Sequence, residues 1–82
     1  MTVEQFVKDY LVGSGLFDDI ADQIISLVKS SKANKAMLGR WQDDIEGYPI
    51  QMKSVLIVAV KRVAREWIAE NKPMAWFRPI FE

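Results

Sequence analysis

The stretch that decides the fold is residues 49–71, PIQMKSVLIVAVKRVAREWIAEN, the longest uninterrupted helical pattern in the chain. Pro49 suits the first position of a helix, and Asn71 followed by Pro73 suits its end. At 100° per residue, apolar side chains cover about half of the circumference. They are Ile50, Met52, Leu56, Ile57, Ala59, Val60, Val63, Ala64, Trp67 and Ile68. Because so wide an arc needs neighbours on more than one side, we expect the central helix of a small bundle.

The same stretch contains an apolar run, residues 55–60, whose β-branched side chains would also suit a buried strand. The helical period continues beyond this run to Trp67 and Ile68 without a turn signal, which favours the helix. The run is far shorter than the roughly 20 apolar residues that a membrane span needs, and Lys53 and Lys61 flank it. We therefore expect a helix that does not enter a membrane.

Two further helices are predicted before this stretch. Thr2 and Gln5 match a capping box at the start of the first helix, and Gly13 and Gly15 stop it. The second helix is expected over residues 16–30. Their apolar stripes consist of Val3, Phe6, Val7, Tyr10 and Leu11 in the first helix and of Phe17, Ile20, Ala21, Ile24, Leu27 and Val28 in the second.

A shorter third helix is expected over residues 34–46, with Asn34 as its N-cap, before Gly47, Tyr48 and Pro49 break the chain. Beyond the long helix, Pro73 and Pro79 predict an extended path for residues 72–82, an aromatic tail. The sequence therefore predicts a single domain, residues 1–82. Its fold class is all-α: a small bundle of three to four helices with a long C-terminal central helix and an extended aromatic tail.

Composition excludes several kinds of chemistry. The chain has 82 residues without cysteine or histidine. This removes disulfides, the Ser-His-Asp and Cys-His nucleophile systems and the usual zinc and haem ligands. We therefore expect no enzyme and no cofactor. The N-terminal residues lack a basic region followed by an apolar core, so no signal peptide is indicated and a cytoplasmic location is expected.

Charge gives two candidate surfaces. The 11 basic and 11 acidic residues cancel, so no net field attracts nucleic acid or an anionic membrane. The residues Lys61, Arg62 and Arg65 nevertheless form a basic ridge that could hold phosphates. Two acidic clusters could bind a hard cation, but charge runs are usually solvated, so we expect a solvated helix face for the first and a turn near a loop for the second. We expect the ridge to meet these clusters in ordinary surface ion pairs. The clusters are Asp18, Asp19 and Asp22, and Asp43, Asp44 and Glu46; the possible extensions of the ridge are Arg40, Lys53 and Lys72.

The aromatic tail is the candidate partner-binding site. No helical stripe explains the burial of its apolar side chains, so it either folds over the bundle or packs on another chain. The two tryptophans on helical stripes, Trp41 and Trp67, are instead predicted core residues. The predicted site consists of Trp76, Phe77, Arg78, Ile80 and Phe81.

Residues 41–49, WQDDIEGYP, and residues 78–81, RPIF, resemble small uncharacterised proteins of bacteriophages and prophages. The resemblance covers the C-terminal half of the chain. It implies a small phage protein that binds a host protein or assembles with itself, and it assigns no chemistry to individual residues.

These observations favour a non-catalytic protein–protein interaction module of bacterial or phage origin. It would act as a homo-oligomer or as an inhibitor or regulator of a host factor. The alternative is a nucleic-acid-associated protein that uses the basic ridge, and a carboxylate-based metal enzyme is a third class.

Overall fold

The computed structural model describes residues 1–31 and 41–71, and these residues form three α-helices and one short 3-10 turn. Helix α1 is Val3–Gly13, α2 is Asp18–Ser30 and α3 is Ile50–Asn71; the 3-10 turn is Ile45–Gly47. The all-α fold is confirmed, and the strand alternative for residues 55–60 is wrong because they lie inside α3. Residues 72–82, the predicted tail, lie outside the described ranges.

The first turn of α1 is held by the predicted N-cap. The Thr2 Oγ1 accepts a hydrogen bond from the Gln5 backbone N–H at 3.1 Å. The Gln5 side chain does not return to Thr2; its amide donates to the Asp9 carboxylate at 2.8 Å, one turn further along the helix. The capping box is therefore made in one direction only, and other acceptors must satisfy the remaining N–H groups of this turn.

Those acceptors come from residues 41–45. An isolated antiparallel bridge joins Thr2 to Asp44, with backbone hydrogen bonds on both sides of it. Two N–H groups of the first turn of α1 donate to this segment, and one N–H of the segment donates back. The bonds, donor first, are Val3 to Asp43 at 2.9 Å, Glu4 to Trp41 at 3.2 Å and Ile45 to Met1 at 3.0 Å.

This bridge lies where the sequence predicted the C-terminal part of a third helix. Residues 41–44 form a turn, a bend and the bridge, and only the 3-10 turn follows them, so an α-helix reaching Glu46 is wrong. The carbonyls of Trp41 and Asp43 accept from α1 and are not available to a local helical ladder. Residues 32–40, the rest of that prediction, lie outside the described ranges.

The connection between α1 and α2 confirms the predicted glycine stop. Gly15 has a φ of 107°, in the left-handed region where a side chain is strained. The Ser14 hydroxyl donates to the Tyr10 carbonyl at 2.8 Å and covers one of the last carbonyls of α1. Helix α2 then begins at Asp18, two residues later than predicted, with Phe17 in the N-cap position.

Among the described residues, α2 packs on both α1 and the long helix α3. The extensive helix packings here are α1 with α2 and α2 with α3. The buried α3 side chains lie between Leu56 and Ala64. Only part of the predicted apolar arc of α3 is therefore buried. The core is Val3, Val7, Leu11, Leu16, Ala21, Ile24, Ile25, Val28, Trp41, Ile45, Leu56, Ala59, Val60 and Ala64.

Helix length explains why part of that arc stays exposed. Helix α3 has 22 residues and α2 has 13, which correspond to about 33 Å and about 20 Å. The shorter helix cannot cover the longer one along its whole length. Ile50, at the start of α3, is 78% exposed although the sequence placed it on the apolar arc. Trp41 is buried as predicted, and Trp67 is partly buried against the core.

The orientation of α3 predicts opposite outcomes for two neighbouring truncations. Leu56 is fully buried and Val58 is 66% exposed. We expect Leu56→Ala to lower the free energy of unfolding by about 2–5 kcal/mol, because it leaves a cavity. Val58→Ala, the matched control, should change it by less than about 0.5 kcal/mol. Urea unfolding followed by circular dichroism measures both, and equal losses would contradict this orientation.

A carboxylate at the bridge predicts a pH dependence. The Asp44 Oδ1 accepts from the Glu46 N–H at 3.0 Å and lies 3.5 Å from the Met1 amine. The hydrogen bond from Glu46, aided by the positive charges of that amine and of Lys53, lowers the pKa of Asp44 below its ordinary 3.8. A lowered pKa stabilises the fold above the ordinary value, and the contribution is lost as pH falls through the folded pKa.

We therefore expect the melting temperature of the natural chain to fall more steeply below pH 3.8 than that of Asp44→Asn. The other carboxylates titrate in both proteins, so the difference between the two curves isolates Asp44. Thermal melts from neutral pH to about pH 2 measure it. Parallel curves would show that the Asp44 charge does not stabilise the bridge.

Candidate functional site

The structure brings the predicted basic ridge together on α3. Arg62 and Arg65 are exposed and Lys61 is half-buried. Their positions fall within about 100° of the helix circumference, on the side away from the buried residues. Lys53, a predicted extension, is half-buried one turn into the helix. Arg40 and Lys72 lie outside the described residues.

Apolar side chains lie on the same side as the ridge. Two shallow concavities run along it and share Val58 and Lys61, so they form one continuous surface. We call this surface the outer face of α3; it is defined by Ile50, Ile57, Val58, Lys61, Arg62 and Arg65. Lys53, Ser54 and Glu66 complete the linings of the two concavities.

The outer face is cationic although the whole chain is neutral. From Ile50 to Arg65 the sequence has four basic residues and no acidic one, and the first carboxylate is Glu66. Along a helix these residues lie within a few turns of one another. The local field of this face is therefore positive over distances comparable to the screening length of physiological salt, about 8 Å.

The acidic clusters pair with other cations than the sequence suggested. Asp22 lies 3.3 Å from Lys8 of α1, and Asp44 pairs with the Met1 amine. A third pair, between Lys29 and Glu4 at 3.1 Å, also links α1 with α2. These partly exposed pairs are worth about 0–1 kcal/mol each. Asp22 and Asp44 therefore have partners outside the ridge residues Lys61, Arg62 and Arg65, and they help to join α1 to its neighbours.

Two further features of the described residues bear on the alternatives. Within residues 1–31 and 41–71, acidic side chains do not gather in groups of three that could hold a metal ion. Over the same ranges, none of the helices combines the length and apolar composition that crossing a membrane requires.

The predicted partner-binding residues of the tail lie outside the described part of the chain. They are Trp76, Phe77, Arg78, Ile80 and Phe81. The exposure of Ile50 is the feature of the outer face that sequence reasoning missed. The signal available was length: the pattern of residues 49–71 is much longer than that of residues 16–30, so its ends had to extend beyond its neighbour.

A third concavity lies between the C-terminal halves of α2 and α3. Leu27, predicted on the buried stripe of α2, is 48% exposed here. The lining mixes both charge signs with apolar side chains and gives no consistent preference for a ligand. It consists of Leu27, Ser31, Arg62, Val63, Glu66, Trp67 and Glu70.

Comparisons with known proteins add no assignment: no protein-family model, curated protein or solved structure matches this chain. The resemblance of residues 41–49 and 78–81 to small phage proteins therefore stays a prediction.

Nucleic-acid binding by the basic ridge can be tested directly. We expect no complex with duplex DNA at physiological salt, because exposed Ile50 and Val58 would face phosphates without a polar partner. Fluorescence anisotropy at low and physiological salt measures this. Three results together would favour a nucleic-acid-binding function over a protein-binding one. Binding would persist at physiological salt, it would weaken steeply with added salt, and it would disappear when Lys61, Arg62 and Arg65 are replaced by glutamate.

Proposed function

We propose that this chain is a non-catalytic protein–protein interaction module, a small bacterial or phage protein of the cytoplasm. It acts as a homo-oligomer or as an inhibitor or regulator of a host factor. The observation that carries this proposal is the outer face of α3, where Ile50 and Val58 are largely exposed beside half-buried Ile57 in one concavity. Contiguous exposed apolar side chains are typical of surfaces that contact another macromolecule.

The composition of the chain supports a binding role over a catalytic one. General acid–base work without histidine or cysteine needs a carboxylate or lysine with a strongly shifted pKa. Among the described residues, the carboxylate with a displaced pKa is Asp44, whose partners belong to the bridge that supports the fold. Tyr48 also has a raised pKa, because it is partly buried and lies near the negative charge of Asp43.

The aromatic tail is the second part of the proposed interface. Trp76 and Phe77 supply large apolar area next to Arg78, and aromatic residues and arginine are frequent anchors of protein interfaces. Pro73 and Pro79 restrict the backbone, so the tail loses less conformational entropy when it docks.

The test uses the full chain with Trp76→Ala and Phe77→Ala combined, and Phe17→Ala as the matched control on a half-exposed aromatic side chain of another region. Light scattering measures self-association, and affinity capture from a bacterial lysate measures partner binding. We expect the double variant to lose its association by at least about tenfold in affinity. Its melting temperature should stay within a few degrees of that of the natural chain.

Two outcomes would contradict the role of the tail. If association is unchanged in the double variant, the tail is not part of the interface. If the melting temperature falls steeply, the tail stabilises the bundle of its own chain instead. The control should retain its association.

A further inference from the structure

We propose that the outer face of α3 binds an acidic amphipathic helix of a partner protein. This inference rests on the proposed interaction function and specifies the chemistry of the partner. The face offers a mainly apolar concavity lined by Ile50, Ile57 and Val58 together with Lys53, Ser54 and Lys61. A partner helix with an apolar stripe bordered by carboxylates would complement both the apolar side chains and the lysines of this concavity.

Charge argues against a second copy that uses the same face. In a two-fold symmetric dimer each patch meets itself, so Lys61, Arg62 and Arg65 would face the same three cations of the second copy. Like charges brought together across an interface oppose association, whereas opposite charges increase its rate and fix its register. The field of this face therefore selects a partner with carboxylates.

The spacing of the apolar residues points to a helix as the ligand. Ile50, Ile57 and Val58 extend over about 12 Å along α3, which is roughly two helical turns of a partner. An amphipathic helix presents apolar side chains at that interval in the helix-in-groove mode. A strand would instead need an exposed sheet edge, and the β pairing in the described ranges is the isolated bridge of Thr2 with Asp44.

Two other anionic ligands fit this face less well. A nucleic acid would leave Ile50 and Val58 against phosphates, as noted above. A lipid surface is bound by helices that insert large apolar side chains such as Trp, Phe or Leu. The outer face offers isoleucine and valine, and the other side of α3 is packed on α2.

The test compares two synthetic helical peptides that share one stripe of leucines. One carries glutamate beside the stripe, and the other carries lysine at the same positions. We expect the glutamate peptide to bind and its affinity to fall with added salt. In NMR spectra of the nitrogen-15-labelled chain, the amide shifts should cluster between Ile50 and Arg65.

Two variants of matched chemistry locate the site. Val58→Glu places a carboxylate in the centre of the face and should lower the affinity for the glutamate peptide by at least about tenfold. Gln23→Glu adds the same charge at an exposed position of α2 and should leave the affinity unchanged. Both variants should melt near the temperature of the natural chain, because neither replaced side chain is buried.

Several results would overturn the inference: no binding of the glutamate peptide, equal binding of both peptides, amide shifts away from α3, or no effect of Val58→Glu. Binding only to duplex DNA or to phosphatidylglycerol vesicles would assign the face to those ligands instead. If the full chain still associates with a protein partner while the glutamate peptide fails, the proposed function stands and this inference falls. If the full chain associates with no protein at all, both fall.

Discussion

Three backbone hydrogen bonds between the first residues of the chain and residues 41–45 fix the geometry of the described structure. Two of them supply acceptors to N–H groups of α1 that its own ladder cannot satisfy, and in the third Ile45 donates to the Met1 carbonyl. They also bring Trp41 and Ile45 into the same core as Val3 and Val7. Because α3 begins five residues after Ile45, the bridge also sets where the long helix starts. The exposed start of α3, and with it the outer face, follows from this arrangement.

Much of the helical structure could be predicted from local signals. The N-cap at Thr2 and the left-handed Gly15 depend on chemistry within one turn of the chain, and both are found. The burial of Val3, Val7 and Leu11 follows from spacing alone. The segment from Trp41 to Asp44 could not be predicted in this way. Its apolar spacing suits a helix, but its carbonyls accept hydrogen bonds from residues about 40 positions earlier, and no local pattern reports such a contact.

Part of the candidate site could also be predicted from local sequence signals. Lys61, Arg62 and Arg65 share a face because any regular helix places those positions together, so the ridge needed only the helix. The apolar half of the outer face required knowing which helix covers α3 and how far. Ile50 satisfies the periodicity of the buried arc, yet the shorter α2 leaves it in solvent. Apolar periodicity identifies side chains able to be buried, whereas burial itself depends on the length of the neighbour.

The proposed interaction requires that α3 keeps an apolar and cationic face in solvent. The most direct measurement is the relaxation of isoleucine, leucine and valine methyl groups by a soluble gadolinium chelate in NMR. We expect strong relaxation for the methyl groups of Ile50 and Val58 and protection for those of Leu56 and Val60, whose side chains are fully buried. Protection of Ile50 and Val58 equal to that of Val60 in the monomeric chain would contradict it, because the outer face would then already be covered.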